Sequence, residues 1–281
     1  MEEYKLTNDY IFKKIFGTEG NENILKELLI SILNIPIKEI ELLHDVHLER
    51  ETEESKEGIL DIKATLNNNI TVNIEMQVKN EYNMIDRSLY YWSKLYNGSL
   101  KKKQNYKETN KTIAINILDY NIFEYGPYHE RCMIKREYNN EILTNDLEIH
   151  FIQIPKCKKE KIKTTLDFWI RFIGNIKDKE VEEMKKEVSK ETWNAVAEVQ
   201  EQYWKIMSDP ETRAIADLRE KAIMDRKFLI AHAEKEGREK GIEQGEKNKS
   251  IEIAKKLKQK NIDIKEIIEI TGLTKLEVER L

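Results

Sequence analysis

The chain has 281 residues, enough for one or two domains at roughly 150 residues each, and 36% of them are charged against about 25% in an average globular chain. Its net charge of −4 argues against bulk electrostatic binding of nucleic acid, so such binding would need a local basic patch or a bridging metal. Two isolated cysteines, Cys132 and Cys157, argue against a disulfide scaffold or a zinc site. No apolar run approaches the roughly 18 residues of a membrane helix, and the opening Met-Glu-Glu-Tyr-Lys does not read as a signal peptide. A reduced, cytoplasmic protein with no membrane partner is the expectation.

In chain order, Thr7 or Asn8 caps a short helix over Asp9–Phe16, with an apolar stripe of Phe12, Ile15 and Phe16 and a stop at Gly17. A second helix runs over about Glu22–Leu33 and buries Ile24, Leu25, Leu28, Leu29 and Ile32; Pro36 prevents its continuation. Ile40–Glu51 reads as a strand. From Gly58 to Lys79 the pattern is a hairpin whose polar turn, Asn67-Asn68-Asn69, tolerates positive φ.

Strand side chains alternate between two faces. Leu60 and Ile62 face one way, with Val72, Ile74, Met76 and Val78; Asp61 and Lys63 face the other, with Asn73, Glu75, Gln77 and Lys79. Two readings stand for the polar face. It is the solvent side of an ordinary half-exposed hairpin, or Asp61 and Glu75 are two carboxylates spaced to hold a hard divalent cation. Either way, the polar face is expected to look outward.

Between Tyr82 and Lys103 the period is helical, with Leu89, Trp92 and Tyr96 near one face and Arg87 and Tyr91 on a neighbouring one. The Tyr90, Tyr91, Trp92 and Tyr96 group reads as core, with a base-stacking platform as the rival. Lys111–Tyr120 is an apolar strand buried on both faces, and further strands fall near His129–Tyr138 and Leu147–Ile154. Helices follow at Thr165–Ile173, Glu180–Val188, Glu191–Met207 and Pro210 to about Lys247. The last carries Gly237, Gly241 and Gly245, each a poor helix former. Ile251–Lys260, Ile264–Ile270 and Lys275–Leu281 make a small helical module with a Thr271-Gly272-Leu273 corner. The histidines show no close pairing in the sequence, and none is assigned a catalytic role.

Four pieces in order carry a resemblance. They are Asn8-Asp9-Tyr10-Ile11-Phe12-Lys13-Lys14-Ile15-Phe16-Gly17; Leu60-Asp61-Ile62-Lys63 with Ile74-Glu75-Met76-Gln77; Arg87-Ser-Leu-Tyr-Tyr-Trp with Tyr96; and the strand ending Ile117-Leu118-Asp119. Over about residues 4 to 210 this resembles the Rpn family of recombination-promoting nucleases, the PD-(D/E)XK nuclease family transposases. The resemblance implies an α/β fold, a restriction-endonuclease-like mixed central sheet flanked by helices, with an all-helical C-terminal extension. It implies metal-dependent DNA cleavage linked to recombination or mobile elements. Asp61 and Glu75 would be metal ligands, with the Met76 carbonyl as another and Asp9 as an outer or second-metal ligand. Gln77 would orient water or contact phosphate. The superfamily's usual Lys is Gln77 here, which leaves the positive group at the phosphate open, with Lys63 and Lys79 as substitutes or as edge lysines that keep a sheet soluble. Asp9 is equally a helix N-terminal acid. Arg87 is a phosphate ligand or a structural ion pair, and Lys101, Lys102 and Lys103 are a solvated helix end or a DNA-backbone track.

The expected function is a Mg2+-dependent DNA endonuclease, with Mn2+ or Ca2+ as alternative ions. The expected domains are a nuclease domain at 1–210 and a helical extension at 211–281 that docks on the body or on another copy. A catalytically weak DNA-binding or self-associating protein with the same fold is the rival, and an oligomerisation or adaptor module is a third.

Overall fold

The computed structural model describes residues 5–43, 62–100, 105, 108–175 and 179–281. Asp61, Lys101, Lys102 and Lys103, and the strand expected after Leu43, lie outside these residues. The chain divides into two compact units, Met1–Ile223 and Met224–Leu281.

The first unit opens with helix α1 (Asp9–Phe16), and the Asn8 side chain accepts hydrogen bonds from the amides of Tyr10 and Ile11. Helix α2 (Glu22–Leu33) ends because Asn34 turns left-handed, at φ 52°, two residues before Pro36 can act. The strands are β1 (Ile40–Leu42), β2 (Ile62–Leu66), β3 (Ile70–Gln77), β4 (Lys111–Leu118), β5 (His129–Met133) and β6 (Leu147–Gln153). They form one six-stranded mixed sheet in the order β1-β2-β3-β4-β6-β5. The pairs β3/β4 and β4/β6 are parallel; the outer pairs are antiparallel. Helix α3 (Met84–Gly98) connects the parallel β3 and β4, which a two-residue turn cannot do.

The β2–β3 turn forms as its asparagines predict, with Asn67 at φ 48° and Asn68 at φ 63°. Asn67 also braces β1: its Oδ1 accepts from Lys38 N at 2.9 Å, and its Nδ2 donates to Pro36 O at 3.0 Å.

Alternation divides the sheet into two faces. On one, Val72, Ile74 and Met76 pair in register with Ile113, Ile115 and Ile117 and join the larger core. That core is completed by α1, α2, α5 (Thr165–Gly174) and α7 (Lys190–Ser208). Between these helices lie a short α4 (Ile154–Cys157), α6 (Lys179–Glu183) and a tight turn at Met184–Lys186.

On the opposite face, Ala114, Leu118, Ile149 and Phe151 pack with Met84 of α3. Here the structure corrects the sequence expectation. The polar face of β3 does not look outward: Asn73 is 2% exposed and Glu75 3%. A helix that returns from β3 to β4 lies over the face both strands share, and the pattern of β3 alone carries no trace of it. Trp92 and Tyr96 stack on each other and turn inward, Trp92 Nε1 donating to Thr112 O at 2.8 Å. Tyr90 stays exposed.

Helix α8 begins at Pro210 and runs unbroken through Gly237, Gly241 and Gly245 to Gln259, where the sequence pattern had it end near Lys247. In the second unit its last turns join α9 (Ile264–Thr271) and α10 (Lys275–Glu279) around Ala254, Ile267, Leu273 and Val278. Gly272, at φ 68°, makes the left-handed turn that ends α9. No described helix is long and apolar enough to cross a membrane.

Candidate active site

Glu75 lies near the C-terminal end of β3, facing Asn116 of β4 in the parallel register. Its Oε1 accepts a hydrogen bond from Gln77 Nε2 at 2.9 Å. The same oxygen receives the Arg87 guanidinium, from the first turn of α3, in an ion pair. Burial pushes the Glu75 carboxyl above its ordinary range, and Arg87 and Gln77 oppose that push.

The support around this carboxylate is polar and fixed. Ser88 Oγ lies 3.0 Å from Asn116 Oδ1, and Asn116 Nδ2 donates to His150 O at 3.0 Å. Asn116 is 1% exposed, so α3, β4 and β6 are tied together through one buried amide. Asn73 shares the face of Glu75, and its buried Oδ1 has no hydrogen-bond partner among the described residues. Lys63 stands opposite Asn73 on β2, and partial burial lowers its pKa. Tyr120, just past β4, is pushed up to about 12 by burial and by Glu75 and Glu81, with Arg87 opposing, so its hydroxyl keeps its proton at neutral pH.

Of the residues singled out in the sequence, the structure brings Glu75, Gln77 and Arg87 into contact. Met76 lies between the first two with its side chain in the larger core. Asp9 is set apart: its Oδ1 accepts from Tyr10 N at 2.8 Å and its Oδ2 lies 3.5 Å from Arg219. Among the described residues it makes no hydrogen bond or ion pair with Glu75, Gln77 or Arg87. Lys79 lies two residues past the end of β3.

Sequence reasoning passed over Asn116 and Tyr120. A lone amide inside the apolar run Ile113–Leu118 was the available signal for the first; nothing local marked the second.

The other face holds a pairing that sequence distance concealed. His129 Nε2 and His150 Nδ1 are hydrogen-bonded at 2.7 Å, and His150 Nε2 lies 2.9 Å from Glu148 Oε1. Lys111 Nζ and Arg131 Nε also bind Glu148, at 2.5 and 2.7 Å. Burial alone would raise Glu148, but the bonds from His150 and Lys111 outweigh it and hold the carboxyl down at about 2. Burial, with His150 and Arg131, holds His129 down at about 4 against the pull of Glu148. A cavity of about 800 Å3 on this side is lined by residues including Glu27, His129, Asp167 and Thr192, and does not include Glu75. Among the described residues no three His, Cys, Asp or Glu side chains are grouped to hold a metal.

The arrangement at Glu75 is that of a carboxylate held at the end of a central strand, shielded from water and next to a fixed cation. A family model described as PD-(D/E)XK nuclease family transposase matches residues 6–233. No curated protein and no solved structure gives a significant match. The family match spans well over half of the chain and includes every element of the sheet, and on that ground this chain belongs to the PD-(D/E)XK nuclease family transposases.

Proposed function

We propose that the chain is a metal-dependent DNA endonuclease that hydrolyses phosphodiester bonds at Glu75. The observation that carries this reading is the buried Glu75 carboxylate, bonded on one oxygen by Gln77 and Arg87, in a chain of a nuclease family.

The donors on this face suit a hard cation. Glu75 and the amide oxygen of Asn73 offer oxygen donors on this face, a chemistry that would fit Mg2+, Mn2+ or Ca2+ better than a soft metal. Glu75 and the Met76 carbonyl would hold the ion together with Asp61, with Mg2+ as the expected occupant. When bound, the ion supplies water activation and neutralises charge at the attacked phosphate.

The chain's own residues do the rest. Gln77 fixes the rotamer of Glu75 through its amide N–H, so one carboxylate oxygen is held in place before substrate arrives. In this reading Arg87, beside Glu75, would take up the negative charge that the superfamily's usual lysine meets. Asn116 and Ser88 hold α3 against the sheet and so fix the distance between Arg87 and β3. The Tyr120 hydroxyl remains a donor at neutral pH.

In this proposal residues 1–210 form the nuclease domain, in the cytoplasm, and 211–281 a helical extension through which copies associate. DNA is the substrate, in recombination or the movement of mobile elements. The rival, a DNA-binding protein that keeps the fold without the chemistry, is favoured by one observation: the site's cation already neutralises Glu75. Plasmid nicking in Mg2+ and in EDTA, beside Glu75→Gln, separates the two. Nicking that requires the metal and vanishes in the variant supports the enzyme; equal nicking by the variant overturns the role of Glu75.

A further inference from the structure

Helix α3 carries Arg87, Tyr90, Tyr91 and Lys94, at the i, i+3, i+4, i+7 spacing of a single helical stripe. The buried face of the helix is Met84, Ser88 and Leu95; Tyr91 borders it, and Arg87, Lys94 and Tyr90 turn progressively away from it. Cations and rings interleave along it. The Arg87 guanidinium lies 5.7 Å from the Tyr91 ring centroid, and Lys94 Nζ lies 5.1 Å from that of Tyr90. Tyr90 and Tyr91 meet edge to face at 5.4 Å, and Tyr90 is 40% exposed. At its Arg87 end the stripe touches the Glu75 carboxylate.

Tyr90 is the exposed member of the four; Arg87, Tyr91 and Lys94 are half-buried. The stripe has Arg87, paired with Glu75, at one end, Lys94 at the other, and two aromatic rings between them. Positive charge complements a phosphate backbone, while aromatic rings offer faces for bases. A paired duplex keeps its bases stacked inside, so a tyrosine standing on a helix surface, as Tyr90 does, meets a base face only where the bases are unpaired. A protein partner would be matched by apolar area without a cation at each ring; here each ring has one. We propose that the Arg87–Tyr90–Tyr91–Lys94 stripe is a docking track for single-stranded DNA that delivers a strand to Glu75. The track rests on the nuclease reading of Glu75 for its destination, and its binding is measurable without metal or cleavage.

The test is fluorescence anisotropy of the full-length protein in EDTA with labelled oligo-dT, a duplex of equal length and oligo-U. Oligo-dT should bind more tightly than the duplex. Tyr90→Ala should weaken oligo-dT binding roughly 5- to 150-fold, the loss of one base stack, and Tyr90→Trp should restore it. Lys94→Gln should flatten the dependence of log K on log salt by about 0.7, the share of one phosphate contact on a single strand. Equal affinity for the duplex, tighter binding of oligo-U, or unchanged binding by Tyr90→Ala would overturn the track. If Tyr90→Ala binds normally while Glu75→Gln stops nicking, the track falls and the nuclease reading stands. If Glu75→Gln still nicks while Tyr90→Ala loses oligo-dT, the nuclease reading falls and the docking surface survives.

Discussion

Arg87 reaches across 12 residues of sequence, from the first turn of α3 to the end of β3, and places its guanidinium on the carboxylate of Glu75. The two partners are unequally buried, with 27% of the Arg87 side chain exposed and 4% of Glu75. The acid therefore depends on the pairing more than the base does. Left alone, Arg87 has water; Glu75 has little.

That asymmetry sets the first prediction. Breaking a buried ion pair by removing one partner costs about 3–5 kcal/mol, and the partial exposure of Arg87 reduces this to about 1–3 kcal/mol for Arg87→Gln at neutral pH. Burial already raises the Glu75 carboxyl, and losing Arg87 raises it further, so the native variant holds that proton to higher pH than its unfolded chain does. The deficit should be largest at neutral pH and shrink as pH falls toward the ordinary carboxylate range. Urea denaturation of both proteins at several pH values measures it; a deficit that grows on acidification would contradict the pairing. Arg87→Lys should lie between the two, because it keeps the charge and loses the fork.

The second concerns Gln77. Removing one preorganised polar contact typically costs about 10²–10³ in rate, so Gln77→Ala should slow nicking by up to that factor while isothermal titration still detects Mn2+ binding. Gln77→Lys, the usual superfamily residue, should keep or raise activity. A lysine variant as inactive as Glu75→Gln would remove Gln77 from the mechanism.

His129 gives a third, independent of catalysis. Its folded pKa, near 4, lies below the usual value of about 6.5, so the unfolded chain binds the proton first on acidification. Its contribution to stability is present in full above about pH 6.5 and is lost as pH falls toward 4. With solvent screening taken into account, the loss should be about 1–2 kcal/mol. His129→Asn should be less stable than wild type at pH 7.5, with a flatter profile between these limits. Parallel profiles for the two proteins would exclude the histidine as the source.

The fourth concerns α8. A Cβ built on Gly237, Gly241 or Gly245 meets nothing within 4 Å, and none of the three has a left-handed φ. Replacing all three with Ala should stabilise the helix by up to about 1 kcal/mol each and slow proteolysis between 237 and 249, where wild type should be cut first. A chain ending at residue 233 should keep the melting temperature of the nuclease unit. Early cleavage inside 62–100 instead, or collapse of the shortened chain, would show that the tail supports the sheet.

What was legible in the sequence follows the range of each interaction. The spans of α1 and α2 were readable because caps and apolar spacing act within four residues. The asparagine turn and the alternation of β3 were readable for the same reason, and they suffice to set Glu75 and Gln77 side by side. The cover over that face was not readable, because α3 reaches it only through its own packing on β4. Arg87 had two equal roles in the sequence for want of a visible partner. The His129–His150 bond joins residues 21 positions apart and left no local mark. The three glycines pointed to close helix contact or a weak helix ending near Lys247, yet intrinsic propensity is a weak preference, and the helical residues around them carry α8 on to Gln259.

Along β3 the residues facing the larger core and those facing Arg87 are strict neighbours: Ile74, Glu75, Met76, Gln77. A shift of β3 by a single position against β2 and β4 would drive Glu75 among the isoleucines and turn Ile74 and Met76 toward the guanidinium. No slipped chain can keep a sound interior with a spoiled site, or the reverse. Misaligned molecules are penalised by their own hydrophobic interior, so every molecule that folds presents the carboxylate in phase with its cation.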